Sequence, residues 1–252
     1  MDDAFIAQWL DKDHRMPLPW HRAINKLLRY TRLNVQLVPR SFRWGMANVE
    51  ARMNLFHLAS QCAELGIPGD IVEIGCNDGE SSIILQHIAN TLAPDKQTHF
   101  YDSFQGAPAP KGLDEDLKVY QKGDMATSLF TFYDHFRRVN LPLPADTNVH
   151  QGWFEDTIPD DLPDQISFAL LDGDLYSSTK HVLPHLYSRM SRGAICMFGV
   201  YYDETVLSRP HTILQYRSPG VKMATDEFFS GKAEKVSVLY AGEYTNGYFR
   251  KK

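Results

Sequence analysis

Cysteine is scarce: Cys62, Cys76 and Cys196 are the three present, far apart and odd in number. That excludes a disulfide framework. Each sits in an apolar context, so buried free thiols in a reducing cytoplasm are expected. Nothing nearby would lower a thiol pKa enough to make a nucleophile. No apolar run approaches the ~18 residues of a membrane span. The opening Met1-Asp2-Asp3-Ala4-Phe5 also lacks the basic start and apolar stretch of a secretory leader. Basic excess is missing: the formal net charge is −5, with no long run of Lys and Arg. That argues against nucleic acid as a partner, because phosphate binding needs clustered cations. None of the ten histidines is read as a metal ligand; His135, His150, His181 and His185 are read as structural or surface residues. The absence of Gly-x-Ser-x-Gly disfavours an α/β-hydrolase. The absence of Gly-x-Gly-x-x-Gly disfavours a dinucleotide oxidoreductase.

What the chain does have is enough apolar residue, 43% of 252, for a full core. Residues 1–42 are basic and aromatic, broken by Met16-Pro17-Leu18-Pro19-Trp20. From Arg43 to Leu65, Val49, Met53, Phe56, Ala59 and Ala63 mark one helix face, ended by Gly66 and Pro68-Gly69. Strands are expected at Asp70–Ile74, Thr98–Tyr101, Asn148–Gln151, Ile166–Leu171 and Ala194–Phe198, with a closing hairpin over Lys235–Tyr240 and Tyr248–Arg250. Helices are expected at Ser82–Leu92, along Leu129, Phe132, Phe136 and Val139, at Thr179–Met190 and at Val221–Phe229. Pro184 should kink the third of these or mark its true start. Alternating strands and helices imply an α/β, Rossmann-like, doubly wound and mostly parallel sheet with a terminal antiparallel hairpin. We divide the chain into an N-terminal helical segment, 1–65, and a main domain, 66–252. Trp20, Phe42, Trp44 and the Phe56 face are too apolar for a free tail and are expected to cover a crevice or a subunit interface.

The chemistry is concentrated after the strands. Glu73-Ile74-Gly75-Cys76-Asn77-Asp78-Gly79-Glu80-Ser81-Ser82 runs a strand into Gly-x-x-x-Gly and then a helix. Gly75 and Gly79 would let backbone N–H groups near a ligand. The helix start, with Ser81 and Ser82 beside it, favours an anionic group. Glu73 would repel a pyrophosphate but suits the cationic methionine end of S-adenosylmethionine. Asp102, closing the second strand, suits the two ribose hydroxyls of an adenosine, unless it caps a helix. After the third strand, Trp153 or Phe154 would wall the adenine and Asp156 would accept a hydrogen bond from it. After the fourth strand, Asp172 and Asp174 flank Gly173, where carboxylates hold a hard cation or take a proton. Helix capping by Asp174 or Ser177 is the structural alternative.

These motifs, read together, resemble the macrocin/mycinamicin O-methyltransferase (TylF-like) family. The resemblance rests on Ile-Pro-Gly-Asp-Ile-Val-Glu-Ile-Gly at 67–75, Asp-Ser-Phe-Gln-Gly at 102–106, Gly-Trp-Phe-Glu-Asp-Thr-Ile-Pro at 152–159 and Leu-Asp-Gly-Asp-Leu-Tyr-Ser-Ser-Thr at 171–179, with Ala-Thr-Asp-Glu-Phe-Phe at 224–229. It implies a class I methyltransferase fold, S-adenosylmethionine as donor, and as acceptor a hydroxyl on a small, sugar-bearing natural product. The cofactor-binding residues would be Glu73, Gly75, Asn77, Gly79, Ser81, Ser82, Asp102, Ser103, Trp153, Phe154 and Asp172. Asp172 and Asp174 would be catalytic, and oligomer contacts would come from the N-terminal segment. The family also implies a Mg²⁺ site joining Asp172 to an aspartate pair after the fifth strand. Phe198 and Gly199 stand where that pair should be, and the family's catalytic histidine has no counterpart; Lys118 and Lys122 stand nearest. The expected reading is metal-independent transfer, with Asp172 or one of those lysines taking the proton. Its rival has Asp203 and Glu204 rebuilding the metal site. A donor-binding protein without transferase activity and an amine acceptor remain as alternatives.

Overall fold

A computed structural model of the chain describes residues 23–24, 27–28, 49–139, 141, 148–203, 205, 218–241 and 245–252. Trp20, Phe42, Trp44 and Glu204 lie outside the described residues. The strands are β1 (Asp70–Ile74), β2 (Thr98–Asp102), β3 (Val149–Gln151), β4 (Ile166–Leu171), β5 (Met190–Phe198), β6 (Ser237–Leu239) and β7 (Asn246–Arg250). They form a sheet in the order β3-β2-β1-β4-β5-β7-β6. The first five pair in parallel, while β7 runs antiparallel to both β5 and β6. The helices are α1 (Val49–Glu64), α2 (Glu80–Leu92), α3 (Leu113–Leu117), α4 (Leu129–Arg138), α5 (Phe154–Asp161), α6 (Tyr176–Arg189) and α7 (Pro219–Phe229). Among the described residues no helix is long and apolar enough to cross a membrane.

Alternation along the central strands sorts side chains into two cores, one on each face of the sheet. Ile71 of β1 with Phe168 and Leu170 of β4 meet Leu55, Ala59, Leu85, Phe132 and Phe136 of α1, α2 and α4. Val72 and Ile74 with Ala169 and Leu171 meet Ile158, Val182, Leu186 and Val221 of α5, α6 and α7. The three cysteines are buried and free, as expected. Chain order reverses between β1 and β4, so the crevice opens at their carboxyl ends.

The differences from expectation have physical causes. The buried face of α1 is Ala51, Arg52, Leu55, Ala59 and Cys62, whereas Met53 is 41% exposed. Apolar residues surround most of this helix, so periodicity alone cannot choose the stripe. Helix α5 has no counterpart among the expected helices: Pro159 lies inside it and only Thr157 and Ile158 are buried, which leaves no apolar period to read. Helix α6 starts at Tyr176, well before Pro184, and continues on both sides of it. It is capped by neither Asp174 nor Ser177. Instead the Asp114 carboxylate of α3, buried and distant in sequence, accepts the Tyr176 N–H at 2.8 Å and the Ser177 N–H at 3.0 Å. Those are two of the donors a helix start leaves unpaired. Replacing Asp114 by Ala should therefore cost about 1–2 kcal/mol of stability in chemical denaturation, the range of a lost cap. An unchanged unfolding free energy would show that this remote cap contributes nothing.

Candidate active site

A cavity of about 550 Å³ lies over the carboxyl ends of the parallel strands, a size suited to a cofactor-scale ligand. Gly75, Asn77 and Ser81 line it from the β1–α2 turn, Asp102 and Ser103 from the end of β2, and Trp153, Phe154 and Glu155 from the start of α5. Asp172 and Asp174 follow from the end of β4 and Gly199 from the end of β5. The fold thus brings together most residues singled out from the sequence. Glu73, Gly79 and Ser82 are not among the lining residues.

The β1–α2 turn is built by steric constraint. Gly75 has φ +90°, and a Cβ there would lie 2.2 Å from the Asp172 carbonyl oxygen. Gly79 has φ +91°, and a Cβ there would lie 2.9 Å from the Phe132 ring. Their N–H groups donate to Tyr101 and Cys76 carbonyls, at 2.8 and 2.9 Å, rather than toward the cavity. The glycines therefore serve close approach and left-handed backbone. Asp102 organises the turn from the next strand: one oxygen accepts the Asn77 N–H at 2.8 Å, the other the Phe104 N–H at 2.7 Å. Burial raises the Asp102 pKa, against those two bonds.

Glu73 points into the core on the α2 side and is wholly buried. The Ser81 and Ser82 hydroxyls both donate to its carboxylate, the second at 2.5 Å. Ser81 therefore stands between Glu73 and the cavity. Burial first, then the Asp172 and Asp102 charges, push Glu73 up to about 8 against the two serine bonds.

At the ends of β4 and β5, Asp172 lies against Gly199: a Cβ at 199 would fall 2.0 Å from the Asp172 Oδ1. Burial and the Asp102 charge raise the Asp172 carboxyl to about 6. Asp174 sits at φ +55° and is held by the Tyr120 and Ser218 hydroxyls. Burial and the Asp172 charge hold its pKa well above the ordinary range. Tyr120, buried and lining the cavity, is a residue that sequence reasoning missed, since it falls in a segment without periodicity. The flanking Lys118 and Lys122 are exposed and not among the lining residues. Trp153 is the N-cap residue of α5. Glu155 lines the cavity and its neighbour Asp156, also exposed, does not. Asn77, Met125 and Asp174 all have positive φ and all line the cavity, a concentration of backbone strain usual at functional sites.

A Mg²⁺ ion wants several oxygens in tight octahedral geometry, and the described residues do not fit one here. Phe198 is fully buried in the core and Gly199 offers no side chain. Asp174 is committed to Tyr120 and Ser218. Asp203 pairs with Lys222 at 3.6 Å and accepts from Thr205, away from the cavity lining.

Glu73 makes stability depend on pH. Its folded pKa lies above the ordinary carboxyl value of 4.5, so the stabilisation of its neutral form is full below that value. It is lost as pH rises through about 8. Glu73→Gln keeps the shape and removes the titration. It should raise the thermal midpoint of the ligand-free protein at pH 9 by several degrees while changing it little at pH 5. Equal effects at both values would show that the burial of Glu73 carries no such penalty.

Comparison with known proteins agrees with this geometry. The family model described as macrocin O-methyltransferase (TylF) matches residues 23–217. Mycinamicin III 3''-O-methyltransferase of Micromonospora griseorubida is 31% identical over 180 residues, covering 68% of this chain and 69% of that protein. A tetracenomycin-series enzyme of Streptomyces olivaceus, 8-demethyl-8-(2,3-dimethoxy-alpha-L-rhamnosyl)-tetracenomycin-C 4'-O-methyltransferase, is 29% identical over 62% of each chain. The solved O-methyltransferase NovP superposes with a TM-score of 0.71 at 21% identity, covering 99% of both chains, which shows the shared fold. With the strand order, the glycine turn and the strand-end acids all in place, the chain belongs to the macrocin O-methyltransferase family and is a methyltransferase.

Proposed function

We propose that this enzyme transfers a methyl group from S-adenosylmethionine to a hydroxyl of a sugar-bearing small molecule. The observation that carries the reading is one cavity holding Asp102 on one side and Asp172 with Tyr120 on the other. It is supported by relatives named as O-methyltransferases of natural products, one of them with a rhamnosyl group in the printed name of its substrate. The donor supplies an electrophilic methyl group on a sulfonium. Asp102 keeps a second lone-pair direction on each oxygen for ribose hydroxyls. Trp153 and Phe154 wall the adenine side, with Glu155 as the polar group there. Ser81, whose hydroxyl donates to buried Glu73, turns its oxygen lone pairs to the donor's ammonium. Asp172 takes the proton from the acceptor hydroxyl: a carboxyl titrating near 6 is ionised at neutral pH and still basic enough to accept it. Tyr120, fixed by Asp174, orients that hydroxyl. The segment ahead of β1, from which Ala51 and Leu55 reach the cavity, closes it over the strand ends.

Labelled donor offered with a panel of glycosylated macrolides and aromatic polyketides tests the whole reading; no transfer to any sugar hydroxyl would refute it. Within it, Asp172→Asn should lower kcat by about 10²–10⁴-fold, the usual weight of a general base. The wild-type kcat/KM should fall tenfold per pH unit below about 6, because protonated Asp172 cannot accept. A profile flat down to pH 5 would remove Asp172 from that role.

The poor fit to Mg²⁺ gives a separate expectation. Turnover should persist after exhaustive chelation. Loss of most of the rate, with recovery on adding Mg²⁺, would show that a metal is bound in some other way.

A further inference from the structure

The charged side chains of the cavity wall are almost all acidic. Among the described residues it contains seven Asp or Glu side chains and a single Lys or Arg, Arg52. That wall suits the sulfonium and ammonium of the donor. It does not suit the carboxylate at the same end of the molecule, an anion entering a field of anions. Leaving such a group without a cationic partner in a partly dry site is costly.

Arg52 is placed to meet it. It lies on α1 between Ala51 and Leu55, which line the same cavity, and is 3% exposed. Its Nη2 donates to Glu80 Oε2 at 2.9 Å. Glu80 is the first residue of α2, so the guanidinium sits over the start of that helix, beside the Gly75–Gly79 turn and Ser81. A second link holds α1 there. Asn54 donates to Asn246 Oδ1 at 3.0 Å, and Asn246 donates to the Gly199 carbonyl at 2.5 Å. Arg52 therefore rides on a helix pinned to both sides of the crevice. A guanidinium is planar and always charged, and its fork of donors serves two carboxylates at once. The partial positive charge of the α2 start adds to it.

The geometry points to Arg52 as the residue that receives the methionine carboxylate of the donor, which makes α1 part of the donor site. The inference rests on the donor being S-adenosylmethionine. The competing role is purely structural: the Arg52–Glu80 pair would then only fasten α1 to α2.

The two roles separate with a donor lacking only the carboxylate, decarboxylated S-adenosylmethionine. Calorimetry on the full-length chain would compare it with S-adenosylmethionine in wild type, Arg52→Met, Arg52→Lys and Glu80→Gln. Wild type should prefer the carboxylate-bearing donor by roughly 10- to 100-fold, the range of a charge-assisted hydrogen bond. Arg52→Met should lose that preference while binding the decarboxylated compound as wild type does. Arg52→Lys should keep part of it. Glu80→Gln, which breaks the same ion pair, should keep it whole. Four results would overturn the inference: no preference in wild type, equal weakening of both compounds by Arg52→Met, a full preference retained in that variant, or collapse in Glu80→Gln as well. Should Arg52→Met fail to fold, the intermediate preference of Arg52→Lys decides in its place, and an unchanged one overturns the inference. Wild type binding neither compound would remove the donor assignment itself.

Discussion

The ends of β1 and β4 come so close at the switch point that only glycine fits between them. The Asp172 N–H donates to the Ile74 carbonyl at 2.8 Å, and the Asp172 carbonyl occupies the space a side chain at 75 would need. Much of the site follows from that contact. It turns the chain into left-handed backbone at Gly75 and aims the following residues across the end of β2, where Asp102 takes the Asn77 N–H. It also fixes where Asp172 leaves the sheet, at the mouth of the cavity. A residue with a Cβ at 75 would separate the strand ends, and the residues that line the cavity from β1, β2 and β4 would lose their common reference.

Closeness has an electrostatic consequence. Glu73, Asp102, Asp172 and Asp174 crowd the strand ends, and burial raises the pKa of every one. Negative charge concentrated without counterions opposes folding, so the ligand-free protein carries a penalty there. A cationic ligand reverses the sign of that penalty. It favours the ionised carboxylates and gains from the charge the fold has already gathered. This is stability given up for function, with the uncharged layers beneath, from Phe100 to Phe136 and from Val182 to Phe198, holding the sheet together.

The sheet was legible in the sequence because its central strands are short, apolar and bounded by turn residues; β1 and β4 begin and end where the pattern put them. The acids after the strands were legible for a related reason: topology alone sends residues after parallel strands to one edge. Contacts across long loops were not. Asp114 caps α6 and Tyr120 reaches Asp174, yet both come from a segment with no period to read. Arg52 left a faint signal, a cation between Ala51 and Leu55, but that face was assigned to Met53 and Phe56 instead. The direction in which Glu73 points was also beyond the pattern. It shares its face with Ile71, toward α2, so its hydrogen bonds go to serines one turn away rather than into the open cavity.

The end of β5 shows how charge and space are exchanged in such a site. A carboxylate-bearing residue at 199 would bring its own Cβ within 2.0 Å of the Asp172 Oδ1, so it could be accommodated only if Asp172 turned away. With glycine there, the Asp172 carboxylate packs against backbone, and Asn246 binds the Gly199 carbonyl from the opposite side. Asp172 is thereby confined between two glycines, 75 and 199, with no neighbouring acid on β5 to share a cation. Its raised pKa comes from burial and from Asp102 across the cavity. Those surroundings raise the basicity of the carboxylate and leave it short of partners for a shared cation. Replacing an acid by glycine at a strand end therefore removes a charge and, in the same step, changes what the remaining acid is suited to do.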